Sequence, residues 1–274
     1  MRVPVRITIE SRKSWAALDP HDVWSYRELL YFLIWRDLKV RYKQTLFGGA
    51  WVIMQPLLLT VIFTIFLGRL VRVPSDGVPY PLFAYAGLLP WTFFSGAVLA
   101  TGNCLVGNAH LITKVYFPRL IIPISSIAAR LVDLGVAFVI LIGLMFYFRV
   151  GITLHFLMAP FFILILALLA LGFGLWTSAV NVKYRDVGIA LPLLTQLWMF
   201  ASPIVYPLSL VPQRWRLVYS MNPVVGILEG FRAALFGGSF NWPAIFISTI
   251  VTLVLLPYAA YSFQKHEKTF ADII

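Results

Sequence analysis

Long apolar stretches alternate with short polar segments along this chain of 274 residues. Each stretch can cross a bilayer core of about 30 Å as a helix, at about 1.5 Å per residue. A membrane β-barrel would instead alternate apolar and polar residues over segments of about ten residues. The pattern therefore predicts an all-α integral membrane protein with six transmembrane helices, at residues 48–70, 81–105, 120–148, 152–180, 187–206 and 244–263.

Residues 22–43 are predicted to lie against the membrane without crossing it. They mix leucines and two tryptophans with arginines and lysines, which is typical of an amphipathic interfacial helix. The alternative is a solvated helix with a few apolar contacts. This helix belongs to a cytoplasmic N-terminal segment, 1–47, which precedes a six-span domain, 48–263, and a cytoplasmic tail, 264–274.

The segment between the fifth and sixth predicted spans, residues 207–243, is apolar although it connects two spans. Asn222 and Pro223 favour a helix start, and Gly237 favours a helix end. The resulting helix, 223–236, is about 21 Å long and too short to cross. We therefore predict a helical re-entrant region here, of the kind tolerated beside protein or a watery cavity.

The composition agrees with a membrane protein, since 60% of the residues are hydrophobic and only 12% are charged. Soluble domains carry about 25% charged residues, so an ordinary soluble enzyme is excluded. The net charge of +11 does not indicate a nucleic-acid partner, because the basic residues flank apolar segments. Most of the 22 Lys and Arg residues share a side with the N-terminus, which predicts that both termini are cytoplasmic.

The chain has no motif for chemistry of its own. Cys104 is the single cysteine, and the four histidines lack metal-ligand spacing, so we expect no disulfide and no metal. A G-x-x-x-x-G-K-[ST] sequence for nucleotide phosphates is absent, so we expect no cofactor in this chain.

Arg130 and Asp133 lie inside the third predicted span, where a charge is costly unless it is paired or hydrated. Their spacing of three places them on one helix face, where they can pair. They either form an ion pair that fixes helix packing, or line a water-filled path. Aromatic residues near span ends either form the interfacial belt or offer faces along which sugar rings slide. The candidates for channel lining are Arg130, Asp133, Trp91, Phe94, Trp198, Phe200 and Tyr206.

Several ordered motifs resemble the permeases of polysaccharide-exporting ABC transporters, the family of O-antigen, capsule and teichoic-acid export. The first is the run RDLKVRYKQTLFGGAW from Arg36 to Trp51, followed by Gln55-Pro56-Leu57. The others are Asn108 with LITKVYFPR at 111–119, NVKYRD at 181–186, SPIVY at 202–206, and Asn222-Pro223. Together they extend over nearly the whole chain.

This resemblance implies a multi-pass permease of the bacterial cytoplasmic (inner) membrane. The permease would act as a homodimer with two copies of a cytoplasmic ABC ATPase, which would bind ATP and Mg²⁺, and it would export a lipid-linked polysaccharide. The loop 106–119 would contact the ATPase and gate headgroup entry, through Asn108, His110, Leu111, Lys114, Tyr116, Phe117, Pro118 and Arg119. The second cytoplasmic loop would contribute Lys183, Tyr184, Arg185 and Asp186 to the surface that meets the cytoplasmic partner. Positive charge for the lipid headgroup would come from Arg36, Lys39, Arg41 and Lys43, where the loop's Lys114 and Arg119 could assist.

Three alternatives remain at this stage. The first is a permease of the same superfamily for a drug or a small lipid. The second is an ATP-independent channel or secondary transporter, although no convincing internal repeat is present. The third is a membrane glycosyltransferase or ligase, although the outer loops offer few acids.

Overall fold

The computed structural model describes residues 24–43, 47–115 and 117–273, and within them the regular structure is helical with no strand. The predicted N-terminal segment before residue 24 lies outside these residues. The first half of the chain contains α1 (Arg27–Tyr42), α2 (Trp51–Phe63), α3 (Tyr80–Gly107), α4 (Ala109–Lys114) and α5 (Ile121–Tyr147). The second half contains α6 (Ala159–Lys183), α7 (Asp186–Phe200), α8 (Gln213–Ser220), α9 (Pro223–Phe236) and α10 (Trp242–Ile273).

Five helical segments of the described chain are long and apolar enough to cross a membrane. They confirm five predicted spans, and their bounds are Gly48–Leu70, Tyr80–Gly107, Ile121–Tyr147, Leu154–Lys183 and Trp242–Glu267. In the first, a 3₁₀ turn precedes α2 and a π-helical stretch, Thr64–Leu70, follows it.

The fifth predicted span, 187–206, is shorter in the structure than the sequence suggests. The helix there, α7, has 15 residues and is about 22 Å long. Pro203 and Pro207 follow closely, and the residue before a proline disfavours helical backbone, so the chain leaves the helix after Phe200. A crossing at this sixth position is therefore not confirmed.

The central helix is α3, which packs against α5, α6 and α2. Most of its side chains are buried, and the Tyr85 hydroxyl donates to the Ala137 carbonyl of α5 at 2.9 Å. The first span has the opposite character, because apolar residues such as Leu58 and Phe66 are more than half exposed. That surface suits lipid or another apolar partner rather than water.

The helix predicted at 223–236 is confirmed as α9, with the predicted ends. The Asn222 side chain accepts from the Val224 amide at 3.1 Å, and Gly237 has the left-handed φ of 70° that ends many helices. Its apolar side chains are mostly buried, and the helix packs on α10 and α6. The depth of this helix in a membrane stays a prediction.

The predicted interfacial helix is present as α1, which packs along the first half of α5. Leu33 is buried in a cluster with Phe117 and Ile121, and Arg41 reaches Asp133 farther along α5. The N-terminal helix is therefore joined to the third span at two levels. Its placement in the membrane interface stays a prediction.

We predict that Gly87→Ala destabilises the protein, whereas Gly143→Ala does not. A Cβ at Gly87 would overlap the Ile204 carbonyl oxygen and the Arg232 guanidinium, but a Cβ at Gly143 would meet nothing within 4 Å. Overpacking costs about 1–3 kcal/mol. Denaturant unfolding of the purified variants checks the prediction, and equal stability of the two variants would contradict it.

Candidate functional site

The end of α1 and parts of α2, α3 and α5 enclose a cavity of about 260 Å³. Its polar lining consists of Arg41, Tyr42, Gln55, Thr92, Arg130 and Asp133. Trp51 and Gln55, at the start of the first span, line the cavity and are also exposed on the surface of the protein. The cavity therefore joins residues that the sequence assigned to two different sites, the headgroup entry and the channel lining.

Asp133 is the acceptor at the centre of this cavity. One carboxylate oxygen accepts from the Tyr42 hydroxyl at 2.5 Å, and the other forms a close ion pair with Arg41. Burial, followed by the hydrogen bond to Asp133, raises the pKa of Tyr42, so its hydroxyl stays a neutral donor. The carboxylate fixes the end of α1 against α5.

Arg130 is the second cation of the cavity and is less well paired. Its Nη1 lies 3.9 Å from Asp133, and its buried Nε has no hydrogen-bond partner among the described residues. The guanidinium packs against Gly96 of α3, where an added Cβ would lie 3.3 Å from Nη1. Two guanidinium groups thus share one carboxylate. The cluster of Arg41, Arg130 and Asp133 therefore has a net positive charge, and its N–H donors can bind a further anion.

The other predicted headgroup residues lie outside this cavity. Arg36 forms an ion pair with its neighbour Asp37 at 2.8 Å. The ammonium of Lys39 lies 5.1 Å from the ring centre of Trp35, and Lys43 is exposed. The structure brings Arg41 alone of the four into the cavity.

The loop predicted to be the first on the cytoplasmic side contains the short helix α4, which is anchored by the buried side chains of Ile112 and Phe117. Asn108 donates to the Cys104 carbonyl at 2.8 Å, while His110 and Lys114 are exposed. Of the remaining predicted residues, Leu111, Pro118 and Arg119 are half-buried, and Tyr116 lies outside the described residues.

The buried side chain of Asn181, near the end of α6, joins the predicted second cytoplasmic loop to α3 and to the start of α7. Its amide nitrogen donates to the Gly102 carbonyl at 2.9 Å and to the Asn103 side chain at 3.1 Å. Its oxygen accepts from the Gly188 amide at 3.0 Å. The exposed residues of this loop are Lys183, Tyr184, Arg185 and Asp186. We call residues 107–115 and 183–186, the loop residues on the predicted cytoplasmic side, the cytoplasmic pad.

Arg119 is attached to the C-terminal helix. Its guanidinium donates to the Glu267 carbonyl, and its backbone amide donates to the Glu267 carboxylate at 3.3 Å. It is therefore less available for a phosphate than the sequence suggests.

The aromatic candidates for channel lining separate into two groups. Trp91 and Phe94 are 4% and 0% exposed, and they pack with Phe173 and Trp198 at centroid distances of 4.9–6.4 Å. For Trp91 and Phe94 the structure favours core packing over a path for sugars, because protein side chains already cover their rings. Half-buried Tyr206 bonds to the Tyr219 hydroxyl, whereas Phe200 is 58% exposed.

Sequence reasoning missed a second charged group, which lies in α9. Arg232 is 5% exposed, donates to the Pro203 carbonyl at 2.6 Å and bonds to the Ile204 carbonyl. Glu229 forms an ion pair with Arg232 at 3.4 Å, and the guanidinium carbon of Arg232 lies 3.9 Å from the ring centre of Phe83. The signal was the spacing of three within an apolar helix, the same spacing as Arg130 and Asp133.

Comparisons with known proteins relate the sequence of this chain to those of transporters. The sequence pattern of the ABC-2 type transporter family matches residues 28–236. An O-antigen export system permease protein RfbA of Myxococcus xanthus is 28% identical over 257 residues, 92% of this chain and 98% of that protein. Another RfbA, of Klebsiella pneumoniae, is 27% identical over 90% of this chain and 95% of its own. The polysialic acid transport protein KpsM of Escherichia coli is 27% identical, over 81% of this chain and 88% of its own.

We predict that Arg232→Met costs about 3–5 kcal/mol of unfolding free energy, because it leaves half-buried Glu229 without its cation and the Pro203 and Ile204 carbonyls without their donor. The double variant Arg232→Met with Glu229→Met should lose less than the sum of the two single variants. Unfolding titrations of all four proteins check this coupling. Strict additivity would show that the pair does not interact.

Proposed function

Because this chain belongs to the ABC-2 type transporter family, we propose that it is the permease of an ATP-driven exporter of a lipid-linked polysaccharide. The observation that carries the proposal is the family match from α1 to α9, together with the five helices among the described residues that can span a membrane. The named relatives support an O-antigen-like or capsule-like polymer as the substrate class. Family membership also favours a transporter subunit over the channel and glycosyltransferase alternatives.

The energy source in this proposal is a separate ABC ATPase, present in two copies beside a homodimer of this chain. The sequence has no phosphate-binding loop of its own, so ATP and Mg²⁺ would be bound by the partner. The cytoplasmic pad is the surface that we assign to this contact. Its charged side chains Lys114, Lys183 and Arg185 are exposed, and Asn181 joins the helix that leads into its second loop to α3. Both termini would then face the cytoplasm of a bacterial inner membrane.

The route of the substrate follows from the positions of charge. The basic residues of α1 and Lys114 would attract the anionic headgroup at the cytoplasmic side. The polymer would follow a path that leaves near α7, α8 and α9. Exposed Phe200 and the hydroxyl pair of Tyr206 and Tyr219 are candidates to contact sugars there.

The direct test is affinity purification of the tagged chain in mild detergent, together with deletion of its gene. We expect one P-loop ATPase per permease, and a lipid-linked glycan that accumulates on the cytoplasmic side of the deletion strain. A pure homomer without an ATPase, together with unchanged glycan at the cell surface, would contradict the proposal.

A charge reversal in the pad should weaken the ATPase contact. We predict that Lys114→Glu with Arg185→Glu lowers ATPase affinity about tenfold or more, since rim charges at interfaces act through complementary potential. Arg69→Glu with Arg214→Glu, at two exposed positions outside the pad, changes the net charge equally and is the matched control. Co-purification and ATPase stimulation measure the effect, and equal loss in both variants would show that the pad is not the contact.

A further inference from the structure

We propose that the cavity between α1, α2, α3 and α5 binds a phosphate or diphosphate group, and that Asp133 takes the place of this group in the unloaded protein. The ligands would be Arg41, Arg130 and the Tyr42 hydroxyl. The inference rests on the proposed function, because it assigns the phosphate linkage of the lipid-linked substrate to a defined site.

The charges in the cavity require a second anion for full pairing. Arg41 and Arg130 carry two positive charges, and Asp133 supplies one negative charge. Arg130 is the less fully paired cation, because its Nη1 is 3.9 Å from the carboxylate and its buried Nε has no hydrogen-bond partner among the described residues. A guanidinium in this condition is costly inside a membrane protein and is a strong binder of a multivalent anion.

The donors around Asp133 suit a phosphate better than a carboxylate. The two carboxylate oxygens already accept from Tyr42 and Arg41 and lie too far from Arg130 for a short hydrogen bond. A phosphate offers more acceptor oxygens and more charge, so it can pair with both arginines and the hydroxyl together. Gln55 and Thr92 add polar groups to the same wall.

The size and position of the cavity favour a headgroup that stays attached to a lipid. Its volume of about 260 Å³ lies below the range of about 300–1,000 Å³ for small-molecule pockets, so it suits a compact anion rather than a sugar chain. Trp51 and Gln55 at its rim are exposed, and they continue into the exposed apolar residues Leu58 and Val61 of α2. A prenyl chain can therefore remain along α2 while the phosphate enters.

Asp133 then makes binding reversible. The incoming phosphate displaces the carboxylate from Arg41, and the carboxylate returns when the phosphate leaves. Because Arg41 ends α1, this exchange also releases and restores the contact between α1 and α5. A site of permanently unpaired arginines would instead retain the headgroup and slow its transfer.

The test measures binding to the full-length chain in nanodiscs, with any subunits that co-purify. The probes are a polyprenyl diphosphate, inorganic pyrophosphate and the neutral polyprenol. We expect Asp133→Asn to bind the polyprenyl diphosphate about tenfold more tightly, because a competing charge is removed, and Arg130→Gln to bind it about tenfold more weakly. Asp76→Asn removes the same charge at an exposed position between the first span and α3, outside the cavity, and should bind as the unaltered protein does.

Each outcome decides a separate point. If Asp133→Asn binds polyprenyl diphosphate and inorganic pyrophosphate more tightly, and with the same affinity for each, the site would be an anion site that serves free phosphate rather than lipid. Unchanged or weaker binding in folded Asp133→Asn would overturn the proposal. If that variant does not fold, unchanged binding by Arg130→Gln overturns it. If the binding site fails these tests but the cells still export polysaccharide, the proposed function stands. If the strain with the unaltered protein exports no polysaccharide, the proposed function is wrong whatever the binding results.

Discussion

The backbone carbonyl groups of residues 201–205, where the chain leaves α7, need hydrogen-bond donors, and the fold around α9 depends on how these donors are supplied. Buried carbonyl groups without water must be satisfied by protein groups, and here side chains take that role. Asn222 donates to Ala201, Arg232 donates to Pro203 and Ile204, and Tyr80 donates to Val205 at 2.7 Å. The segment that follows α7 is therefore held by α9 and by the start of α3, and side-chain hydrogen bonds join these three elements.

The same physical requirement governs the cavity near the end of α1. A charge buried between helices must be paired, and Asp133 pairs with Arg41 from a different part of the chain. The ion pair brings the N-terminal helix against α5. In both places a buried charge joins elements that are distant in sequence, so the charges determine the arrangement of helices whose apolar surfaces alone would pack in several ways.

The helix α3 connects these groups to the cytoplasmic side. Gly87 admits the Arg232 guanidinium at one end, and Gly102 accepts a hydrogen bond from Asn181 at the other. Thr92 lines the cavity between them. A membrane permease driven by an ATPase must pass a change at its cytoplasmic face to its outer side. The buried helix α3, which packs on α5 and α6, is the continuous element suited to that transmission.

The sequence by itself determined the helical class, five spans and the bounds of α9, because hydropathy, caps and prolines act within a few residues. It also indicated that Arg130 and Asp133 share a face. The tertiary structure decided that Arg41 is the partner of Asp133 and that Trp91 packs in the core. Pairing across about 90 residues and burial of a ring depend on which helices become neighbours. That choice is made by packing of the whole chain, and local sequence patterns do not contain it.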